Sequence, residues 1–327
     1  MSKGKKLPLL FLEPVLKETV WGGHRLYHEF GYGQEGDIIG ECWGIAALPE
    51  GDSVIYCKEP CERFSGLTLS QLWEKESEIF GDYAMKHFPL LVKIIDAKSD
   101  LSIQVHPDDA YAAREENGSS GKMECWYVID CPKDAMLIAG HNARTKEELK
   151  SMILRGRWDE LIRRVPIRKG DFIQVNPGMV HAITAGCLIL ETQQNSNITY
   201  RLYDYGRKVD GKFRKLHIKQ SLDVIQVPSM TVKDFVLKTC NLPKNKLHCL
   251  VSCQYYTVYK LVVSGEYTIP NSETFLNISV LMGEGAAGNI SVKKGEHFIV
   301  PANYGAVCIK GELEIIISKL FLTKNMP

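Results

Sequence analysis

Apolar positions along this chain fall mostly into short runs rather than long periodic stretches. "ECWYVI", "DAMLIAG", "DFIQV", "CLILETQ", "NITYRLYD", "YTVYKLVV" and "GELEIIIS" are rich in β-branched and aromatic residues and bounded by Gly, Pro, Asn or Asp, the pattern of strands separated by turns. Helical spacing is confined to a few segments. In 68–81, Leu69, Leu72, Trp73 and Phe80 recur on one side, with Thr68 or Ser70 as cap and Gly81 as stop. Residues 144–165 predict two short helices interrupted near Gly156. "PDDAYAAREENG" predicts another, capped by either aspartate and ended at Asn117 and Gly118. Many short strands with little helix between them predict a mainly β fold, a sandwich or barrel of jelly-roll type.

The pattern echoes itself. "KGDFIQVNPGMVHAI" (169–183) and "KGEHFIVPANYGAVCI" (294–309) both run Lys-Gly-acid, apolar strand, Pro-containing turn, apolar strand. Aligned on Gly170 and Gly295, His181 stands opposite Ala306. Two related β-units follow, one with a polar site and one without. The break between them falls near 228–246, giving units of 1–235 and 236–327.

Three places interrupt the apolar runs with chemistry. In "LSIQVHPDDA" (101–110), Gln104 and His106 are two apart and share a strand face, while Ile103 and Val105 take the other. Pro107 cannot donate to a sheet ladder and ends the strand there. In "GKMECWYVI", Lys122 and Glu124 open an apolar strand, and a carboxylate is rarely buried without a cation to compensate. "VNPGMVHAI" delivers His181 just after a Pro-Gly turn. Two imidazoles, one carboxylate and a neutral amide form a donor set that suits zinc or a similar divalent ion and leaves a position for substrate oxygen. Any one of these histidines taken alone is more often a structural residue than a ligand.

Forty basic and 39 acidic residues leave a net charge of +1 with no basic run, which argues against nucleic acid or an anionic membrane as the main partner. The N-terminal apolar stretch is short and broken by Pro8, Glu13 and Pro14, so no signal peptide is read and a cytoplasmic location is expected. The ten cysteines include "CKEPC" (Cys57, Cys61) and "CLVSC" (Cys249, Cys253). Neither has CxxC spacing, and thiols in a reducing compartment are expected to serve as small buried hydrophobes.

"LSIQVHPDD", "KMECWYV", "NPGMVHAI" and "NITYRLYDYGR", with "VWGGHRL" and "IGECWGI" nearer the start, together resemble class I mannose-6-phosphate isomerases in their short bacterial, two-cupin form. The resemblance spans essentially the whole chain. It implies two cupin-type jelly-roll domains: a catalytic metal-binding cupin with short helical insertions (1–235) and a metal-free one (236–327). It implies one zinc ion per chain, held by Gln104, His106, Glu124 and His181, and a sugar phosphate substrate for a monomer or weak homodimer. The family's arginine maps onto Arg201, a lysine of its active site onto Lys122, and an acid close to the metal onto Glu191. Two positions depart from the pattern: Asn197, where relatives often carry Asp, and Asn176, a turn position where cupins commonly have Pro.

The implied reaction moves a proton between C2 and C1 through a cis-enediol, whose developing charge a metal stabilises. Glu191 is the first candidate base, with Lys122 or a metal-bound water behind it. Arg201 is suited to bidentate contact with the reacting oxygens or the phosphate, or alternatively to an ion pair with Glu13, Glu41 or Asp204. For the phosphate the candidates are Ser102, Lys122, Lys98 and Arg207, the last two equally at home as solvated surface charges. An oxygenase or epimerase cupin, and a sugar-binding regulatory cupin without turnover, remain as alternatives.

Overall fold

The computed structural model describes residues 7–321 except 60–62, 82, 84 and 271. Three large antiparallel sheets organise it. The seven-stranded sheet runs in the order Val236–Lys238, Asp171–Val175, Glu124–Asp130, Leu188–Gln194, Leu90–Asp96, Ile39–Ile45, Val15–Gly23. A five-stranded sheet follows the order Ile162–Pro166, Met136–His141, His181–Ala182, Ile103–Val105, Tyr200–Tyr203. These two sheets share a core that includes Trp21, Ile95, Trp126, Leu137, Ile173 and Ile189.

Side-chain alternation sets what each face meets. Ile103 and Val105 turn outward, against Leu149, Met152 and Ile153 of the helix Lys146–Leu154. Ser102, Gln104 and His106 therefore turn inward. On Glu124–Asp130, Cys125, Tyr127 and Ile129 join the core that reaches the C-terminal sheet, so Glu124, Trp126 and Val128 face the interior between the first two sheets. Strand Leu90–Asp96 is buried on both faces along its whole length, which explains its nearly continuous apolar run.

The eight-stranded sheet carries the second unit. Its long strands Tyr256–Ile269 and Val307–Leu320 pair along their whole length. The N-terminal strands Leu10–Glu13 and Val54–Tyr56 belong to this sheet, through Leu10↔Ile299 and Phe11↔Tyr56. Val236–Lys238 pairs instead with Asp171–Val175 in the first unit, so strand pairing crosses position 235 in both directions. The internal echo holds at the level of single bonds. Gly170 and Gly295 adopt φ of +86° and +88°, a region open to glycine at little cost. Just after each, Asp171 and Glu296 accept hydrogen bonds from the backbone N–H of Arg168 (2.8 Å) and Lys293 (3.0 Å).

Helices depart from expectation at two places. The segment 68–81 breaks at Glu76 into Leu69–Lys75 and Ser77–Phe80. The first has Thr68 and Gln71 in a reciprocal capping box, and Gly81 ends the second in a left-handed conformation. Thr68→Ala is expected to lower stability by about 1 kcal/mol, read as a shift in the urea midpoint at unchanged slope. In 144–165 the break at Gly156 is present, but Ile162–Pro166 leaves the helix to pair with Met136–His141; β-branched Ile162 and Val165 favour that edge. Asp108 rather than Asp109 caps the helix Asp109–Glu115. Cys57 is disulfide-bonded, contrary to the thiol expectation; Cys61 lies outside the described residues. Cys125 and Cys187 are buried free thiols, whereas Cys249 is free and exposed.

Candidate metal centre and active site

Hydrogen-bond register brings three strands' side chains into one row. His181 pairs with Gln104, and Gln104 pairs with Arg201. Directly paired residues point to the same face, so all three look into the interior between the two sheets. Across that interior, Lys93 pairs with Glu191 and Glu191 with Trp126. Glu124 lies two residues from Trp126, on the same face.

His106, Glu124 and His181 converge in full burial, with their ligand atoms within 4.8 Å of one another. The two imidazole Nε2 atoms are 3.2 Å apart. Glu124 Oε2 is 3.4 Å from His106 Nε2, and Oε1 is 3.3 Å from His181 Nε2. The other ring nitrogens are committed: His106 Nδ1 bonds the Ile198 carbonyl at 2.7 Å and His181 Nδ1 the Met179 carbonyl at 2.8 Å. A carbonyl accepts, so each Nδ1 carries the proton and each Nε2 presents a lone pair to the centre. Burial pushes both imidazoles below their ordinary range, His106 to about 3 with Lys122 adding to the effect. At neutral pH both rings are uncharged and ready to ligate.

Two lone pairs and a carboxylate thus face one buried point, with the Lys122 ammonium beside them, 3.3 Å from His106 Nε2. Neither Glu124 oxygen receives a hydrogen bond of good geometry; the Lys122 ammonium is 2.8 Å from Oε2 but off the bonding direction. Burial alone would raise the Glu124 carboxyl, but the Lys122 ammonium outweighs it and holds it well below the usual carboxylate range. Gln104 stands beside the centre, its amide nitrogen 3.3 Å from His181 Nε2; a half-turn of the amide presents its oxygen there. Nitrogen and oxygen donors of this kind fit a divalent ion.

A cavity of about 110 Å³ opens beside the centre, lined among others by Ser102, Gln104, Lys122, Glu191 and Arg201. Of the residues expected at the site, Gln104, His106, Glu124 and His181 gather at the buried cluster, and Ser102, Lys122, Glu191 and Arg201 border this cavity. Glu191 is held by the Trp126 indole N–H at 2.7 Å and by Lys93 at ion-pair distance, 3.0 Å. Burial and then the neighbouring Glu124 raise its carboxyl above the ordinary value, against Lys93 and Lys122. Ser102 is buried and donates to Gln104 Oε1 at 3.3 Å. The ion pairs considered for Arg201 do not form among the described residues; its Nε is buried without a partner and its Nη1 donates to the Lys215 carbonyl at 3.4 Å. Lys98 is exposed, and Arg207 is spent on Asp204 and the Asp100 carbonyl, so neither borders the cavity. Asn197 is at the surface, donating to Glu50 at 2.6 Å. Asn176 occupies its turn by accepting from Gln174 at 3.3 Å.

Sequence reading missed Lys93, Arg214, Trp21, Trp126 and Thr199 on the cavity wall. Lys93 had a signal: a lysine in the middle of "LLVKIID" breaks an apolar run just as Gln104 does. It sits between Glu191 and Glu41, 3.4 Å from the latter.

Residues 9–139 match the family described as phosphomannose isomerase type I, catalytic domain, and residues 245–320 match the mannose-6-phosphate isomerase cupin domain. The chain is 48% identical over 316 residues to mannose-6-phosphate isomerase ManA of Bacillus subtilis, covering 95% of this chain and 98% of that protein. The chain belongs to the type I phosphomannose isomerase family. The mannose-6-phosphate isomerase of Streptococcus mutans is 42% identical over 316 residues, covering 94% of this chain and 97% of that protein. The crystal structure of mannose 6-phosphate isomerase from Bacillus subtilis superposes with a TM-score of 0.87 at 41% identity, covering 96% of this chain and all of that one. A putative mannosephosphate isomerase from Archaeoglobus fulgidus, at 21% identity and a TM-score of 0.78 with 98% of this chain covered, shares the fold. Among the described residues no helix is long and apolar enough to cross a membrane.

Proposed function

We propose that this chain interconverts mannose 6-phosphate and fructose 6-phosphate, with one zinc ion held by His106, Glu124, His181 and Gln104. The observation that carries the reading is the pair of Nε2 atoms 3.2 Å apart beside the fully buried Glu124 carboxylate, next to a cavity lined by Lys122, Glu191 and Arg201. When bound, the ion acts as a Lewis acid on the sugar's carbonyl and hydroxyl oxygens.

The chain's own residues supply the rest. Glu191, its carboxyl raised by burial, is the candidate to take and return the proton on one face of the sugar. The Trp126 indole holds one of its oxygens in place. Lys122 brings a positive charge to the side of the enediolate, and Arg201, always charged, offers a planar fork to the substrate's oxygens or phosphate. Ser102 adds a hydroxyl donor from the same face. The 1–235 unit is assigned the reaction; among the described residues of 236–327 no second metal-capable cluster occurs. We place the enzyme in the cytoplasm.

Purified protein mixed with mannose 6-phosphate is expected to form fructose 6-phosphate, to stop on chelation, and to recover with added zinc. Binding of the sugar phosphate without turnover would instead favour a regulatory cupin.

A further inference from the structure

The hairpin that follows Arg201 carries a group that sequence reading overlooked. Lys208–Val209 pairs with Lys212–Phe213 around Asp210 and Gly211, both at positive φ (51° and 77°), the two-residue turn that suits a tight hairpin. Immediately beyond it, Arg214 turns back to line the cavity beside Arg201 and Ser102. Its side chain is only 19% exposed.

The local charge does not balance. Asp204 is the carboxylate that pairs with this group: Arg207 takes its Oδ1 through Nη2 and through Nε at 3.1 Å, and Arg214 reaches the same oxygen through Nη1 at 3.4 Å. Arg201 has no carboxylate partner among the described residues, and its Nε is buried without any partner. Burial pushes the Arg201 guanidinium down, and the positive charge of Arg214 pushes it further the same way. Two guanidinium groups that repel each other thus face one cavity, and a single shared carboxylate serves the second of them. A dianion between them would remove the repulsion and satisfy the unpaired donors, because planar guanidinium forks match phosphate oxygens bidentately.

The register gives this pair its place along the substrate. Arg201 lies one strand beyond Gln104, and Gln104 lies one strand beyond His181. With neighbouring strands about 4.8 Å apart, the arginine side is offset along the sheet from the ligand cluster, as the two ends of a sugar phosphate require. We propose that Arg214 binds the phosphate of the substrate together with Arg201, and that the 205–216 hairpin thereby restricts the enzyme to phosphorylated sugars. This rests on the isomerase reading and adds a residue to it.

The test compares wild type with Arg214→Gln, Arg214→Lys and, as a control on the exposed part of the hairpin, Lys212→Ala. Arg214→Gln is expected to raise KM for mannose 6-phosphate by about 10- to 100-fold, the loss of one charged hydrogen-bonding group, with kcat changed far less. Inhibition by inorganic phosphate should weaken by a similar factor, Arg214→Lys should fall between, and Lys212→Ala should match wild type. Unchanged KM and unchanged phosphate inhibition in Arg214→Gln would overturn the proposal, as would a loss confined to kcat. If Arg214→Gln fails to fold, Arg214→Lys decides: wild-type KM and wild-type phosphate inhibition overturn the assignment, and a raised value of both supports it. Wild-type protein without isomerase activity would defeat the underlying reading instead. Calorimetric titration of inorganic phosphate into wild type and Arg214→Gln would still decide the role of Arg214 in that case.

Discussion

His181→Ala is expected to leave the purified chain with far less than one equivalent of zinc and to lower kcat by about a thousandfold, because a Lewis acid worth several kcal/mol leaves with the metal. The fold should survive. His181 sits on a two-residue strand whose backbone is held from both sides, by Ala139 and by Gln104. In metal-free protein its removal also relieves the crowding of lone pairs, since Nε2 faces Glu124 Oε1 at 3.3 Å and His106 Nε2 at 3.2 Å. The electrostatic term therefore favours the variant, against the cost of the space vacated beside the Trp126 ring 5.5 Å away. His106 keeps its bond to the Ile198 carbonyl, but one imidazole, one carboxylate and a neutral amide bind zinc poorly. Elemental analysis beside a circular dichroism spectrum checks this. A folded variant with a full equivalent of zinc would remove His181 from the ligand set.

How much of this was legible in the chain differs by element. That Gln104 and His106 share a face opposite Ile103 and Val105 followed from strand alternation alone, and Ile103 and Val105 do pack together on the other side, against the helix. Glu124 was legible for the same reason: a carboxylate at the head of an apolar strand must find a cation. The convergence of separate strands on one point was legible only through the family resemblance, because register is a long-range property, set on one side by the His181–Gln104–Arg201 row. The membership of Leu10–Glu13 in the C-terminal sheet was likewise invisible, since nothing local in "LFLE" specifies a partner almost 290 residues away. The break at Glu76 escaped periodicity because the apolar spacing continues through it; Ile79 and Phe80 stay buried by restarting a separate turn. Arg207 and Arg214 show the limit for charges. Both sit in one basic hairpin, and only the fold decides which one Asp204 occupies fully and which is left over for the cavity.

Lys93→Met carries the largest expected cost to stability, about 3–5 kcal/mol, the usual result of stranding a buried charge. The ammonium lies between two carboxylates, 3.0 Å from Glu191 Oε1 and 3.4 Å from Glu41 Oε2. Burial alone would lower the Lys93 pKa, but Glu191 and Glu41 outweigh it and hold it above the ordinary lysine value. Burial would likewise raise the Glu41 carboxyl, but Lys93 and the Trp43 indole hold it below its ordinary value. The signs set the pH window. A lysine raised on folding gives stability that is complete below its unfolded pKa, about 10.4, and that fades as pH climbs through the folded value. A carboxyl depressed on folding gives stability that is complete above its unfolded pKa, about 4.3, and that fades as pH falls through the folded value. Both contributions of the Lys93–Glu41 pair are therefore in full force near neutrality. Remove Lys93 and the sign at Glu41 reverses: burial now dominates, the folded carboxyl rises above its unfolded value, and the variant should gain stability on acidification from pH 7 towards 5. Urea denaturation of Lys93→Met at several pH values checks both claims, and Lys93→Met combined with Glu41→Gln should recover part of the loss at pH 7. A variant as stable as wild type, or one that weakens further on mild acidification, would mean that the ammonium does not hold these carboxylates in the folded chain.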